Sequence, residues 1–502
     1  MRTTNSIRNI STSLFGQFFG VLISFINRRI FISLLGVELL GVNGLFSNIL
    51  TLLSLAELGV GIAIVYSLYK PIADNDEITI KGLMEYYKVV YRAIGLFITL
   101  VGFSLLPFLN YVIKDANYVG NIEIIYCIFV LNTSVTYFLS YKRSMLIADQ
   151  KKYVETKIHY FVFFLSNLIQ ILSLLIFGNF ILFLIISLIS KVIENFVIIR
   201  YVDKRYPYLK KTKGAKLNSN ERKSLSVNIR ALAFHKFGSI IVNSTDNIVI
   251  SKYLGLAWVG LYSNYYIITS ALVTVLSQIF GSVTASVGNL IVTSSNEKTV
   301  DMYFNIMMVN FWLYGLTCIL FYILANDFIT LWIGEQFLFN KAIVFVLSVN
   351  LFLNGTRKTT LLFKDAKGLF WADRYKPIFE GILNLIISIL LVQKIGFIGV
   401  FVGTIISNIF STFWIEPVVL FKHGFNIKVS TYFLKYFKHL LISIIAFLLA
   451  SSLTSFIAFS PLLNLVLKLL VSFLTVNVVY YLFLSKTKEF HYFKKIIDNL
   501  IK

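Results

Sequence analysis

Two arginines stand side by side inside an apolar run: Arg28 and Arg29 lie about 18 residues into a stretch that opens the chain. In a helix rising about 1.5 Å per residue they sit roughly 27 Å from its start. A guanidinium pair at that depth suits a phosphate, which it grips through paired charge-assisted hydrogen bonds. The alternative is that both snorkel to a layer of lipid headgroups. Neighbouring helical residues diverge by about 100°, so the two cannot serve one ligand equally. Other ionisable groups are embedded in the same way. Asp246 interrupts a run of Ile and Val, and Glu57 lies within Leu55-Ala56-Glu57-Leu58-Gly59. A carboxylate so placed is able to carry a proton or gate a path; its structural alternative is a hydrogen bond to a neighbouring helix. Arg92, Arg357 and Lys358 complete the candidate anion ligands, each with snorkelling as the alternative. Lys191 and Glu194 are three apart on one helical face and are expected to neutralise each other. His159 and His235 fall near the ends of apolar runs and read as headgroup-level anchors.

Signatures of catalysis are missing from the sequence. There is no Gly-x-x-x-x-Gly-Lys loop for nucleotide phosphates and no His-Glu-x-x-His zinc motif. Cys127 and Cys318 both lie in apolar stretches, which gives neither a disulfide framework nor a metal set. Asp74-Asn75-Asp76 mimics the acidic motif that holds metal-nucleotide sugars in some glycosyltransferases, but its loop has barely a dozen residues and reads as a solvated turn. No cofactor is expected beyond a coupling proton or sodium ion, with Glu57 or Asp246 as carriers, and nothing in the sequence requires either.

The elements that must hold these residues are membrane helices. Hydrophobic residues make up 57% of the 502 and charged residues 14%, and the mean hydropathy is +0.78. So little polar surface cannot clothe a soluble domain of this size. Fourteen apolar stretches are predicted at 10–35, 41–69, 83–113, 121–147, 156–177, 180–200, 229–254, 258–291, 299–326, 338–364, 371–394, 396–421, 432–456 and 462–484. Most reach the roughly 20 residues that cross about 30 Å of hydrocarbon, and only helices satisfy their own backbone there. Met1 to Ser13 carries Arg2 and Arg8 before the first run and no small-residue cleavage site, so it reads as a retained first helix.

Lys and Arg gather in every second connection. That set, with both termini, holds 35 of the 46, whereas the opposite set holds Lys114, Lys341 and Lys394. The positive-inside rule then places both termini in the cytoplasm of a multi-pass inner-membrane protein. The net charge of +22 reports topology and contact with anionic headgroups rather than nucleic-acid binding.

The chain is also doubled. Leu35-Gly36 and Gly41 recur as Leu254-Gly255 and Gly260, an offset of 219; Ala148-Asp149-Gln150 recurs as Ala372-Asp373-Arg374, an offset of 224. The first offset carries Asn27-Arg28-Arg29 onto Asp246-Asn247-Ile248. The expected organisation is a six-helix lobe at 1–210, a basic cytoplasmic linker at 211–228, a second six-helix lobe at 229–421, and two further helices with a basic tail at 422–502. Lobes with an even number of helices insert the same way up, related by an axis along the membrane normal around a cleft.

With these stretches in view, the chain resembles the Wzx-type oligosaccharide repeat-unit flippases of bacteria, in the multidrug/oligosaccharidyl-lipid/polysaccharide exporter superfamily. Leu39-Leu40-Gly41-Val42-Asn43-Gly44-Leu45-Phe46, Ser144 to Tyr153, Leu331-Trp332-Ile333-Gly334 and Gly396-Phe397-Ile398-Gly399-Val400 carry the resemblance, which runs over essentially the whole length. It implies an all-α, MATE-like integral membrane fold and a cleft alternating between cytoplasmic and outer access. It implies an undecaprenyl-pyrophosphate-linked oligosaccharide as cargo, for capsule, O-antigen or a related polymer, and a polymerase and other polymer-assembly proteins as partners. It also implies that cleft Arg and Lys residues attract the pyrophosphate, for which Arg28, Arg29, Arg92, Arg357 and Lys358 are this chain's candidates. A cation-coupled multidrug exporter on the same fold, and a membrane glycosyltransferase or polymerase, are the competing readings.

Overall fold

The structure, a computed structural model, describes residues 2–57, 59–113, 120–211, 244–369 and 372–501. The linker expected at 211–228, the expected helix 229–254 up to residue 243, Lys114 and His235 lie outside these, Lys211 excepted. The described residues are almost entirely helical. In chain order the main helices are α1 (Arg2–Leu53), α2 (Val60–Ala73), α3 (Glu77–Ser104), α4 (Ile122–Leu139), α5 (Arg143–Ala148), α6 (Lys152–Phe177) and α7 (Phe180–Arg205). There follow α8 (Asp246–Leu254), α9 (Leu256–Thr293), α10 (Asn296–Trp332), α11 (Lys341–Thr356), α12 (Lys358–Ala366), α13 (Lys376–Ile395), α14 (Phe397–Phe410), α15 (Thr412–Val419), α16 (Ser430–Ser455), α17 (Pro461–Leu484) and α18 (Lys488–Ile501). Among the described residues eleven spans are long and apolar enough to cross a membrane, and α1 alone contains two helices merged across Gly36. Caps mark many ends: the side chains of Asp76, Asn179, Ser295 and Asn340 each accept from an amide of the first turn that follows.

The burial pattern is that of a protein solvated by lipid. Along α6 the exposed side chains are Phe161, Leu165, Leu168, Leu172 and Leu175, while Asn167, Gln170 and Ser173 are buried. Along α13, Phe379, Ile382, Ile386 and Leu390 face out, and Glu380, Asn384 and Ser388 face in. Water would reverse both faces; hydrocarbon requires this arrangement, because a polar side chain there has no partner outside the protein. The protein is a multi-pass membrane protein.

Two compact units divide the chain, Met1–Gly260 and Leu261–Lys502. In the first, α2, α3, α5 and the end of α7 enclose a core around Ile64, Leu68, Ile98, Leu146 and Val202. In the second, one cluster gathers Tyr303, Phe311, Phe363, Phe421 and Phe425, and another packs α16 and α17 onto α10 through Ala446, Ala450 and Val476.

The internal repeat appears directly in the backbone. Gly36 has φ 84° and ψ 175°, and Gly255 has φ 100° and ψ 170°. Only glycine tolerates that region, so the chain breaks its helix identically at the two equivalent positions of the repeat. The next glycines of the motif touch reciprocally. A Cβ on Gly41 would lie 2.0 Å from the Leu256 carbonyl oxygen, and one on Gly260 would lie 2.1 Å from that of Val37. The offset that relates Gly41 to Gly260 also relates Val37 to Leu256, as a local two-fold requires.

Several expected helices are not continuous, and two of the breaks fall at candidate residues. The stretch 41–69 breaks into the second part of α1, a 3-10 turn at Ser54–Glu57, and α2 after Gly59 in left-handed conformation. The stretch 338–364 breaks at Arg357 between α11 and α12. Hydropathy is even across the first break, so the apolar pattern does not reveal it, whereas at the second the chain passes from an apolar α11 to a polar α12.

Candidate functional site

In the first unit, Arg28 is half-buried and Arg29 exposed, as their divergence on one helix requires. The preceding Asn27 ties α1 to α6, its amide donating to Asn167 at 2.6 Å. Asp246 opens α8, and one of its carboxylate oxygens is buried without a hydrogen-bond partner among the described residues. Among those residues no ion pair joins Asp246 to Arg29.

Glu57 ends the 3-10 turn and accepts a hydrogen bond from the Tyr91 hydroxyl at 2.8 Å. Gly61 packs closely beside it: a Cβ there would stand 3.0 Å from the hydroxyls of Tyr87 and Tyr91 and 3.1 Å from the Glu57 carboxylate. The group therefore sits at a break in a helix, within a cluster of phenols. Arg92 is exposed on α3, with no carboxylate within ion-pair distance among the described residues. Asp74-Asn75-Asp76 is a turn: Asn75 has φ 54° and Asp76 caps α3. Hydrogen bonds from the Thr79 side chain and amide hold the Asp76 carboxyl below its ordinary value.

The most highly connected charge of the first unit is one the sequence did not single out. Arg143, the first residue of α5, donates to Glu194 of α7 at 2.7 Å, to Glu155 of α6 at 3.2 Å and to the Asn195 side-chain oxygen at 3.0 and 3.1 Å. His159 contacts the same Glu194 oxygen at 3.1 Å. Glu194 is thus buried against Arg143 rather than paired with Lys191, which is exposed. The i,i+3 spacing set the expectation; Lys191 still feels the Glu194 charge, but not from ion-pair distance.

The second unit repeats this arrangement. Arg357, at the break between α11 and α12, donates to both oxygens of Glu416 on α15, at 3.1 and 2.6 Å, and lies 3.7 Å from Glu380 of α13. Lys376 also bonds Glu416, and Lys364 bonds Asp373. Arg357 is therefore a neutralised cation, whereas the adjacent Lys358 makes no ion pair among the described residues. In each unit one arginine at a helix break is clamped by a glutamate from each of the next two spans. An offset of 225 takes Glu155 to Glu380 and one of 222 takes Glu194 to Glu416. That was the signal available in the sequence. The arginines were hidden from it because Arg143 precedes Asp149 by six positions and Arg357 precedes Asp373 by sixteen.

This helical organisation has counterparts among solved structures. A lipid II flippase MurJ in an inward closed conformation matches with TM-score 0.68 at 15% identity, over 94% of this chain and 98% of that one. A multidrug resistance MATE family transporter of the MOP superfamily, inward-facing, matches with TM-score 0.63 at 15% identity, over 82% of this chain and 95% of that one. The chain shares the fold of these two structures. A mutant of the Vibrio cholerae MATE transporter VcmN matches with TM-score 0.57 at 15% identity, over 85% of this chain and 99% of that one. No family model matches the chain, and no curated protein does. At this identity the likeness is one of fold, and the fold agrees with the MATE-like, roughly fourteen-helix arrangement expected from the sequence.

Proposed function

We propose that the protein is a flippase that moves undecaprenyl-pyrophosphate-linked oligosaccharide repeat units from the cytoplasmic to the outer leaflet of a bacterial inner membrane. In this reading both termini are cytoplasmic, and 1–210 and 229–421 act as the two lobes of an alternating-access transporter. The basic stretch 211–228 joins them, and 422–502 adds two helices and a tail. The observation that carries the reading is the extent of the likeness to the MurJ lipid flippase. It covers 94% of this chain against 82% for the MATE transporter. The surplus is comparable in length to α16 and α17 together.

Charge supports the same reading. Arg29, Arg92 and Lys358 have no carboxylate in ion-pair range among the described residues, which leaves them able to take an anionic headgroup. A sugar chain cannot enter hydrocarbon without losing the hydrogen bonds of its hydroxyls, so it needs a polar path, while a polyprenyl tail stays in lipid. An inside-negative potential favours outward movement of an anion by about 2.3 kcal/mol per charge per 100 mV, hence roughly 4–5 kcal/mol for two charges. The clamps of Arg143 and Arg357 would keep each set of three spans together as a lobe tilts.

A cation-coupled exporter is the second reading, and Glu57 among its tyrosines is the observation in its favour. Depletion in the host separates the two. The flippase reading expects lipid-linked repeat units to accumulate on the cytoplasmic leaflet, with poor rescue by Arg29→Ala or Arg92→Ala. Normal surface polymer after depletion, in a host without a second flippase, contradicts it.

A further inference from the structure

At the end of the first unit where α3 begins lies a recess of about 230 Å³. Four lysines from three elements line it: Lys81 and Lys88 of α3, Lys142 of the 3-10 turn Ser140–Lys142, and Lys210 of the helical turn Tyr208–Lys211. Two carboxylates serve all four. Glu85 lies 3.3 Å from Lys81 and 3.6 Å from Lys88, and Asp203 bonds Lys142 and lies 3.1 Å from Lys210. Lys81 also donates to the Leu209 carbonyl, which fixes its ammonium at the wall of the recess. The formal balance is an excess of two positive charges in a space sized for a phosphate or diphosphate. Converging like charges repel, and a bound anion relieves that repulsion. Ammonium groups on flexible stems suit a phosphate approached from several sides.

The recess is the foot of a longer feature. Lys81, Glu85, Lys88 and Arg92 follow at i, i+4, i+7 and i+11, which places them on one face of α3 over about 16 Å. The adjacent face carries Ile78, Val89, Leu96 and Leu100, all exposed and apolar. A charged stripe beside an apolar one on a membrane helix offers water-like partners to a headgroup and hydrocarbon to its tail.

We propose that this recess binds the phosphate-bearing headgroup of a lipid. That the lipid is the cargo, docking before it is carried, rests on the flippase reading; the phosphate chemistry of the site does not. The alternative source is an ordinary anionic phospholipid of the bilayer, with the same chemistry.

The test uses the full-length protein in nanodiscs of neutral phosphatidylcholine, with undecaprenyl diphosphate and phosphatidylglycerol as separate probes and native mass spectrometry as the readout. Lys88 and Lys210 are the substitution sites because they are the more exposed of the four lysines, and each reaches a carboxylate only at 3.1 Å or beyond. Lys88→Gln with Lys210→Gln is expected to weaken binding about tenfold, and Lys88→Arg with Lys210→Arg to restore it with unchanged thermal stability. A loss confined to undecaprenyl diphosphate identifies the cargo, and a loss shared with phosphatidylglycerol identifies a bilayer lipid; both support the site. Unchanged binding of both lipids in the glutamine variant overturns it, as does equal weakening in the arginine variant. Flipping is measured separately. Intact lipid binding in a protein that moves no oligosaccharide leaves the site standing and removes the proposed function.

Discussion

Replacing Glu416 with alanine tests the clamp of the second unit. The glutamate side chain is fully buried and accepts from Arg357 through both its oxygens, and from Lys376. Among the described residues, its removal leaves Arg357, 21% exposed, with only Glu380 at 3.7 Å, and Lys376, 6% exposed, with only Asp373 at 3.8 Å. Charge-assisted hydrogen bonds contribute about 1.5–3 kcal/mol each, but the three share partners and do not add. Breaking a buried ion pair by deleting one member costs about 3–5 kcal/mol, which is the figure to use. For a unit of this size about 2–4 °C of Tm accompanies each kcal/mol, so a fall of roughly 6–20 °C is expected. The assay is a thermal unfolding scan of the detergent-solubilised protein at a fixed heating rate. Arg357→Met combined with Glu416→Leu should lose less than the two single changes together, because the apolar pair leaves no stranded partner at that contact. A Glu416→Ala protein that melts within about 2 °C of the parent would refute the reasoning, since the ions would then be solvated rather than clamped.

Gly41→Ala and Gly260→Ala should each destabilise by at least about 1–3 kcal/mol, since the new methyl meets a backbone carbonyl that cannot rotate away. Gly281→Ala, which meets nothing within 4 Å, should be neutral or stabilising in the same thermal scan. Acid should loosen α18. Burial alone would raise the Glu489 carboxyl, but bonds from Lys435 and its own backbone amide outweigh burial and hold it below its ordinary value. A depressed carboxylate stabilises fully above its unfolded pKa of about 4.3, and the contribution fades as pH falls through the lower folded value. Hydrogen exchange across 488–495 should therefore accelerate between pH 6 and pH 3 beyond the intrinsic rate, and should not do so in Lys435→Met. Glu57→Gln should fold normally, since an amide oxygen still accepts from Tyr91, and should abolish any proton dependence of transport; unchanged proton dependence would remove Glu57 as the carrier.

The sequence revealed the parts whose physics is local. Span positions follow from runs of apolar residues, and the glycine pair at positions 36 and 255 announced a shared break before any coordinates did. Glu57 was legible as an embedded carboxylate, but its helix break was not, because Ser54 to Gly59 is as apolar as its flanks apart from that one acid. The clamps were hidden for another reason. Arg143 meets Glu194 across 51 residues, and Arg357 meets Glu416 across 59. Only the fold brings such pairs together, so Arg357 read as an available anion ligand when its charge is already taken. The lysine recess was hidden likewise, its four ammoniums being spread from residue 81 to residue 210.

Reconstitution tests the central claim most directly. The purified protein is placed in liposomes carrying an undecaprenyl-pyrophosphate-linked oligosaccharide, and sugar accessible to an external glycosidase is followed over time. The account predicts that the protected inner pool drains only when the protein is present, more slowly in Arg29→Ala and Arg92→Ala. An inner pool as well protected as in protein-free liposomes would contradict it.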